Sequence, residues 1–99
     1  MSAYVYILAS KRNGTLYTGS CGNPGERIAL HRAGKGSEFV WRYKVLNLVY
    51  LEHCTTTAEA IARERSMKRW RRAWKIALIE QHNPGWRDLY PDLNDLMVF

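Results

Sequence analysis

The first hydrophobic segment of the chain is residues 3–9, AYVYILA, in which β-branched and aromatic residues occupy most positions. A continuous apolar run of this length predicts a strand that is buried on both faces, in the middle of a sheet. The Asn13-Gly14 pair that follows is a hairpin signal, and TLYTGS at 15–20 is predicted to be the returning strand. Because two antiparallel strands are not stable alone, the hairpin must pack against further elements.

The next segment has the signals of a helix start. In NPGE at 23–26, Asn is the expected N-cap, Pro takes the first helical position, and the charge of Glu suits the helix dipole. The helix is predicted to run to about Ala33, where glycines follow. KGSEFVWRYK at 35–44 is predicted to be a flexible basic loop, and VLNLVYLEHC at 45–54 a third strand.

The longest helical segment begins after the third strand. Thr56 and Glu59 have the spacing of a capping box, and helical composition continues as far as His82, where Asn-Pro-Gly follows. A run this long in a small domain predicts two helices with a bend near Arg71 or Arg72.

The order strand, strand, helix, strand, helix, helix predicts an α+β domain with a three-stranded, mostly antiparallel sheet flanked by helices. A chain of 99 residues has room for one domain. We expect this domain to span residues 1–86. Residues 87–99 are expected to form an acidic C-terminal tail, with Asp88, Asp92 and Asp95, and not a separate domain.

Composition adds a partner and a compartment. The chain has 15 Lys and Arg against 9 Asp and Glu, a net charge of +6, which favours a polyanionic partner. Two cysteines, Cys21 and Cys54, are too few for a disulfide-stapled scaffold. The N-terminal apolar run precedes its basic residues and is too short to span a bilayer. We therefore expect a cytoplasmic protein with reduced thiols and no membrane partner.

Basic residues are densest between positions 63 and 75, where seven of the fifteen occur, interleaved with Trp70 and Trp74. Such a run favours binding to phosphate backbones, although a solvated helix face is the alternative. The two tryptophans are expected to pack at the helix junction. The candidate nucleic-acid-binding residues are Arg63, Lys68, Arg69, Arg71 and Arg72.

Four residues with chemical potential lie near the hairpin. Arg27 and His31 are four apart, on one face of the predicted helix. Tyr17 lies on the preceding strand, and Tyr6 lies across the hairpin from it; a turn centred at residues 13 and 14 predicts that both tyrosines share one sheet face. Taken singly, each residue also has an ordinary interpretation: packing for the tyrosines and the histidine, a solvated surface for the arginine.

The ordered set resembles the GIY-YIG nuclease superfamily, and in particular its small stand-alone bacterial members. YVY at 4–6, YTG at 17–19, ERIALH at 26–31 and the glutamate of RERSMKRW, Glu64, carry the resemblance over about residues 3–86. The first motif lacks its glycine and the second has Thr18 in place of isoleucine, but neither change removes a tyrosine hydroxyl.

The resemblance implies that residues 1–86 form a GIY-YIG-like catalytic domain, which hydrolyses DNA phosphodiester bonds with a single divalent ion, Mg²⁺ or Mn²⁺. By analogy Glu64 holds the metal, Arg27 neutralises the phosphate, Tyr6 takes the proton from water, and Tyr17 positions water or phosphate. A phenol is a weak base at pH 7 unless a cation or His31 favours the phenolate. The catalytic candidates are thus Tyr6, Tyr17, Arg27 and His31.

Several alternatives stay open. Glu64 has a simple partner in Lys68 at i+4. A domain that keeps the fold and the basic surface can bind nucleic acid, DNA or RNA, without cleaving it. The resemblance implies a substrate of branched, damaged or otherwise structured DNA. In such nucleases an attached DNA-binding domain commonly provides the specificity. We therefore expect this chain to cleave weakly or to depend on a targeting protein partner. A zinc site fits poorly, because His53 and Cys54 are adjacent and no Cys-x-x-Cys pair occurs.

Overall fold

In the computed structural model, which describes residues 2–96, strand β1 (Ala3–Ala9) is the centre of a three-stranded sheet. Strands β2 (Leu16–Cys21) and β3 (Asn47–Cys54) pair with it antiparallel, in the order β2-β1-β3, and all seven residues of β1 are buried. The last three residues of the predicted tail lie outside the described part. The elements are β1 (Ala3–Ala9), β2 (Leu16–Cys21), α1 (Pro24–Arg32), α2 (Glu38–Arg42), β3 (Asn47–Cys54), α3 (Thr57–Lys68), α4 (Arg72–His82), a 3₁₀ turn (Tyr90–Asp92) and α5 (Leu93–Leu96).

The alternation of β1 divides the core into two layers. Val5 and Ile7 face α3 and α4, where they pack with Met67 and Ile79. Tyr6 and Leu8 face α1, α2 and the C-terminal segment, in the layer of Ile28, Val40, Leu48 and Leu93. The sheet is therefore covered on both faces, which confirms the predicted α+β class and explains why β1 carries no polar position.

Local capping agrees with the predicted helix starts. Asn23 accepts a hydrogen bond from the Glu26 amide, with Pro24 at the first helical position. Thr56 accepts from the Glu59 amide in the same way. The long helical run is two helices, since α3 ends at Lys68 and α4 begins at Arg72.

The prediction of a flexible loop over residues 35–44 is wrong, because this segment contains α2. Ser37 is its N-cap and accepts from the Val40 amide at 3.4 Å. Val40 is fully buried and holds the five-residue helix against the core. A single buried contact, and not an amphipathic pattern, stabilises the helix, so hydrophobic periodicity does not reveal it.

The C-terminal segment is held to the domain by Asp88. Its carboxylate accepts from the backbone amides of Leu48, at 3.0 Å, and Tyr90, at 3.1 Å, and forms an ion pair with Arg32 at 2.5 Å. The Leu89 amide donates to the Leu48 carbonyl at 2.7 Å and so covers part of the β3 edge. An acidic residue of the tail is thus a structural acceptor.

We expect Asp88→Ala to lower the free energy of unfolding by about 2 kcal/mol, because a part-buried amide and a guanidinium lose their acceptor. Urea unfolding followed by circular dichroism measures the change. Asp92→Ala is the matched control, since Asp92 pairs with Arg87 on an exposed surface and the pair contributes less than about 0.5 kcal/mol. Equal losses in the two variants would contradict the assignment.

Candidate active site

The Tyr6 ring lies across the outer strand β2, directly over Gly19. The two residues are opposed in the β1–β2 ladder, and a Cβ at position 19 would lie 2.4 Å from the Tyr6 hydroxyl. Any side chain at position 19 would displace the ring. The glycine of the YTG motif therefore creates the space in which the phenol is buried.

His31 of α1 meets this phenol from above the sheet. Its Nε2 is 3.0 Å from the Tyr6 hydroxyl oxygen, and both residues are buried. The Ser37 amide donates to Nδ1 at 3.3 Å. Because Nδ1 accepts, the proton of the neutral ring belongs on Nε2, which donates to the Tyr6 oxygen. His31 thus supports negative charge on that oxygen and cannot accept its proton.

Tyr17 and Arg27 complete the cluster on the same face. The Tyr17 ring centroid is 6.4 Å from that of Tyr6 and 5.6 Å from that of His31. Tyr17 is half-buried and Arg27 is exposed. Arg27 lines a cleft of about 160 Å³ between the end of β2 and the start of α1, together with Cys21 and Asn23. Of the four predicted catalytic residues, Tyr6, Tyr17 and His31 are in ring contact with one another, and Arg27 is close enough for its charge to act on Tyr6 and His31.

The protonation of the cluster is set by burial and by one cation. Burial, more than any neighbour, raises the pKa of Tyr6 well above its ordinary value, and Tyr17 and Cys21 add to the effect, while Arg27 lowers it. Burial and the Arg27 charge both lower the pKa of His31. The ground state therefore has a neutral phenol and a neutral imidazole beside a guanidinium.

Glu64 lies on the opposite face of the sheet. Its carboxylate accepts from the Ser20 hydroxyl and pairs with Lys68 at 2.6 Å. Partial burial raises the pKa of Glu64, but the hydrogen bonds from Lys68 and Ser20 outweigh burial and keep it below its ordinary value. Since Gly19 and Ser20 are consecutive in β2, the phenol cluster and this carboxylate flank the same edge strand from its two sides.

A divalent ion would have one carboxylate here. Residues 2–96 contain no group of three or more His, Cys, Asp or Glu side chains that could hold a metal. Glu64 alone fits a hard cation such as Mg²⁺, which keeps several waters and takes its other ligands from phosphate oxygens. The Glu64 side chain is 19% exposed, and its two oxygens already accept from Ser20 and Lys68, so a metal ion would compete with the Lys68 ammonium for the carboxylate.

The predicted nucleic-acid-binding residues differ in their availability. Arg63 makes two hydrogen bonds to Glu52, Lys68 pairs with Glu64, and Arg72 donates to the carbonyls of Asn13 and Gly14 at the β1–β2 turn. Arg69 and Arg71 make no ion pair within the part of the chain that the structure describes. Arg71 lies over the Trp74 ring instead, at 5.6 Å from its centroid.

Three positions of the site are missing from the sequence prediction. Gly19 is part of the YTG motif, but the motif alone does not indicate that this glycine makes room for the Tyr6 ring. Ser20, the donor to Glu64, and Ser37, the donor to His31, have no sequence signal, because each reaches its partner through tertiary packing. Asn83 is structural, since its buried amide group donates to the carbonyls of Val49 and Arg87.

The fold and the cluster define a small α+β domain with phenol, guanidinium and imidazole groups at one edge of its sheet, an arrangement suited to a phosphate group. The sequence model of the GIY-YIG catalytic domain matches residues 2–77. The chain therefore belongs to the GIY-YIG family. Family membership implies nuclease activity in general. None of the helices within residues 2–96 has the length and apolar character needed to cross a membrane.

Several similar proteins carry the name UPF0213. The UPF0213 protein of Staphylococcus haemolyticus is 41% identical over 78 residues, which are 79% of this chain and 94% of that protein. A UPF0213 protein of Staphylococcus epidermidis is 35% identical over the same shares of both chains. The solution structure of a UPF0213 protein from Bacillus halodurans superposes with a TM-score of 0.55 at 28% identity and covers 89% of this chain and 93% of that one.

The lowered pKa of His31 predicts acid destabilisation. The unfolded state takes up a proton near pH 6.5. The native state takes up this proton only at lower pH, so stability is highest above about pH 6.5 and falls as the pH decreases towards the native pKa.

We expect the His31→Gln variant to be less stable than the parent chain at pH 7.5. Between pH 7 and pH 5, however, it should lose less stability than the parent chain does. Urea midpoints at several pH values measure this, with His82→Gln, at an exposed histidine, as control. A His31→Gln profile parallel to that of the parent chain would contradict it.

Proposed function

We propose that the chain is a divalent-metal-dependent DNA endonuclease that hydrolyses phosphodiester bonds. The observation that supports this most is the convergence of Tyr6, Tyr17, Arg27 and His31 beside the edge strand, in a member of a nuclease family. The roles below are part of the proposal.

Arg27 binds the scissile phosphate. Its side chain is exposed and lines the small cleft next to the phenols, so a phosphate of a DNA strand can reach it from solvent. The planar guanidinium offers two parallel donors and a positive charge to phosphate oxygens. Tyr17, half-buried beside it, donates its hydroxyl to the phosphate or to the attacking water.

Tyr6 accepts the proton of the attacking water in its phenolate form, after its own hydroxyl proton has passed to solvent, because His31 donates to this oxygen and does not take the proton. Burial opposes the phenolate, and two groups oppose burial: the Arg27 charge and the Nε2–H donor of His31. Tyr6 is fully buried, so water can approach the phenol only after a covering group moves.

Glu64 holds the divalent cation, Mg²⁺ or Mn²⁺. When bound, such an ion offsets the charge that develops on the phosphoryl oxygens and the leaving 3′ oxygen. Ser20 keeps the carboxylate at the β2 edge, and Lys68 neutralises it in the ion-free chain.

The proposed substrate is structured or damaged DNA. The protein acts in the cytoplasm and contributes to DNA repair, and a targeting protein partner directs it to the substrate. The net charge of +6 supports a polyanionic substrate. Both cysteines are free thiols, which suits a reducing compartment.

A second candidate is a nucleic-acid-binding domain without catalysis. The observation that favours it is that the Glu64 carboxylate is already satisfied by Ser20 and Lys68. The cleavage experiment separates the two candidates.

We expect the purified chain to cleave branched or single-stranded DNA with Mg²⁺ or Mn²⁺ and not with EDTA. Arg27→Ala and Glu64→Gln should each lower the rate roughly 10²- to 10³-fold, because each removes one well-placed electrostatic group. Gel analysis of labelled branched, single-stranded and duplex substrates measures the rates.

Two variants control this comparison. Arg87→Ala removes an arginine next to the β3 edge, and Glu59→Gln changes a glutamate on the same helix as Glu64. Both should cleave like the parent chain. Cleavage by Arg27→Ala and Glu64→Gln at the rate of these controls would indicate a contaminant and leave the binding function.

The salt dependence of DNA binding identifies the phosphate contacts. Arg69→Ala and Arg71→Ala should each reduce the slope of log K against log salt concentration by about one, because each removes one phosphate contact. Fluorescence anisotropy with a labelled duplex in EDTA measures the slopes. Arg87→Ala should leave the slope unchanged. Equal slopes for Arg69→Ala, Arg71→Ala and Arg87→Ala would show that the DNA does not contact Arg69 and Arg71.

A further inference from the structure

Three large aromatic side chains on α2 and its C-cap are exposed. Phe39 is 43% exposed, Trp41 42% and Tyr43 52%. The helix is anchored by its one buried residue, Val40, so its neighbours in sequence point outward. A contiguous exposed aromatic surface on a small domain usually marks a binding site.

The rings continue directly from the buried phenol to the surface. The Tyr6 and Tyr17 centroids are 6.4 Å apart. The Tyr17 and Phe39 centroids are 6.3 Å apart with their planes at 29°, a stacked arrangement, and Tyr43 lies 4.9 Å from Phe39. Phe39 therefore lies next to Tyr17 on the side towards solvent. The exposed aromatic surface adjoins the candidate active site.

The Trp41 ring is 42% exposed but is engaged by a neighbouring cation, because the Lys44 ammonium nitrogen lies 3.2 Å from its centroid. The rings in contact with Tyr17 and with each other are those of Phe39 and Tyr43, which we call the α2 platform.

The charge around the α2 platform suits a nucleic acid strand. Residues 27–46 contain five Arg or Lys and one acidic residue, Glu38. Arg32 is paired with Asp88. The other four basic residues, all exposed, are Arg27, Lys35, Arg42 and Lys44.

Base faces in a duplex are covered by the neighbouring bases, whereas an unpaired base offers a free face to an aromatic ring.

We propose that the α2 platform stacks an unpaired nucleobase next to the phosphate held at Arg27, so that the chain selects single-stranded or locally unpaired DNA over intact duplex. The inference rests on the proposed function for the position of that phosphate. Phe39 provides the ring on which the base stacks, next to Tyr17. Tyr43 contacts the Phe39 ring and holds it in position.

The test is equilibrium binding of the full chain in EDTA to a fluorescein-labelled oligothymidine and to a duplex of equal length. The parent chain should bind the single strand more tightly. Phe39→Ala should weaken single-strand binding roughly tenfold, the scale of one base–aromatic stack, and change duplex binding little. Phe39→Trp should retain the preference, and Phe39→Leu, which keeps an apolar side chain without a ring, should lose it.

Trp74→Ala is the matched control, because Trp74 is 54% exposed but belongs to α4, whose buried residue Ile79 packs on the opposite face of the sheet. It should leave the preference unchanged. Equal affinity of the parent chain for both DNAs, or equal effects of Phe39→Leu and Trp74→Ala, would overturn the platform.

The outcomes also separate this inference from the nuclease proposal. Single-strand binding that depends on Phe39 in a chain that does not cleave supports the platform and contradicts the nuclease. Cleavage that depends on Arg27 and Glu64, with the same single-strand preference in Phe39→Leu as in the parent chain, supports the nuclease and overturns the platform.

Discussion

The burial of the Tyr6 side chain over Gly19 is the constraint on which the site depends. The phenol can lie across β2 because position 19 has no Cβ, and it stays satisfied there because His31 donates to its oxygen. His31 is held in turn by the Ser37 amide, at the start of α2. One close approach between two strands therefore fixes the positions of α1 and α2 relative to the sheet, and with them the surroundings of the phenol.

The edge strand β2 distributes the site over both faces of the sheet. Consecutive strand residues point to opposite faces, so Gly19 lies under the phenol cluster while Ser20 binds Glu64 on the side of α3. A phosphate that engages both groups must do so at the outer edge of the strand, which no further strand within residues 2–96 covers. The position of β2 at the end of the order β2-β1-β3 is thus a requirement of the chemistry we propose.

Local signals predicted those parts of the fold that depend on neighbouring residues. The caps at Asn23 and Thr56, the hairpin, and the division of the long helical run follow from short-range chemistry, and the shared face of Tyr6 and Tyr17 follows from strand alternation. Helix α2 could not be predicted, because one buried valine stabilises it. The side of the sheet that Glu64 takes depends on how α3 packs, which no local pattern in the sequence encodes.

Burial and the Arg27 charge act on the protonation of two groups. At Tyr6 they oppose each other, because burial raises the pKa of the phenol more than Arg27 lowers it, whereas at His31 both lower the pKa of the imidazole. A neutral His31 whose Nδ1 already accepts from Ser37 keeps its proton on Nε2, so it remains a donor to the Tyr6 oxygen in either state of the phenol. A proton that arrives at Tyr6 therefore stays there until solvent or substrate removes it, and the histidine serves as a fixed support and not as a relay.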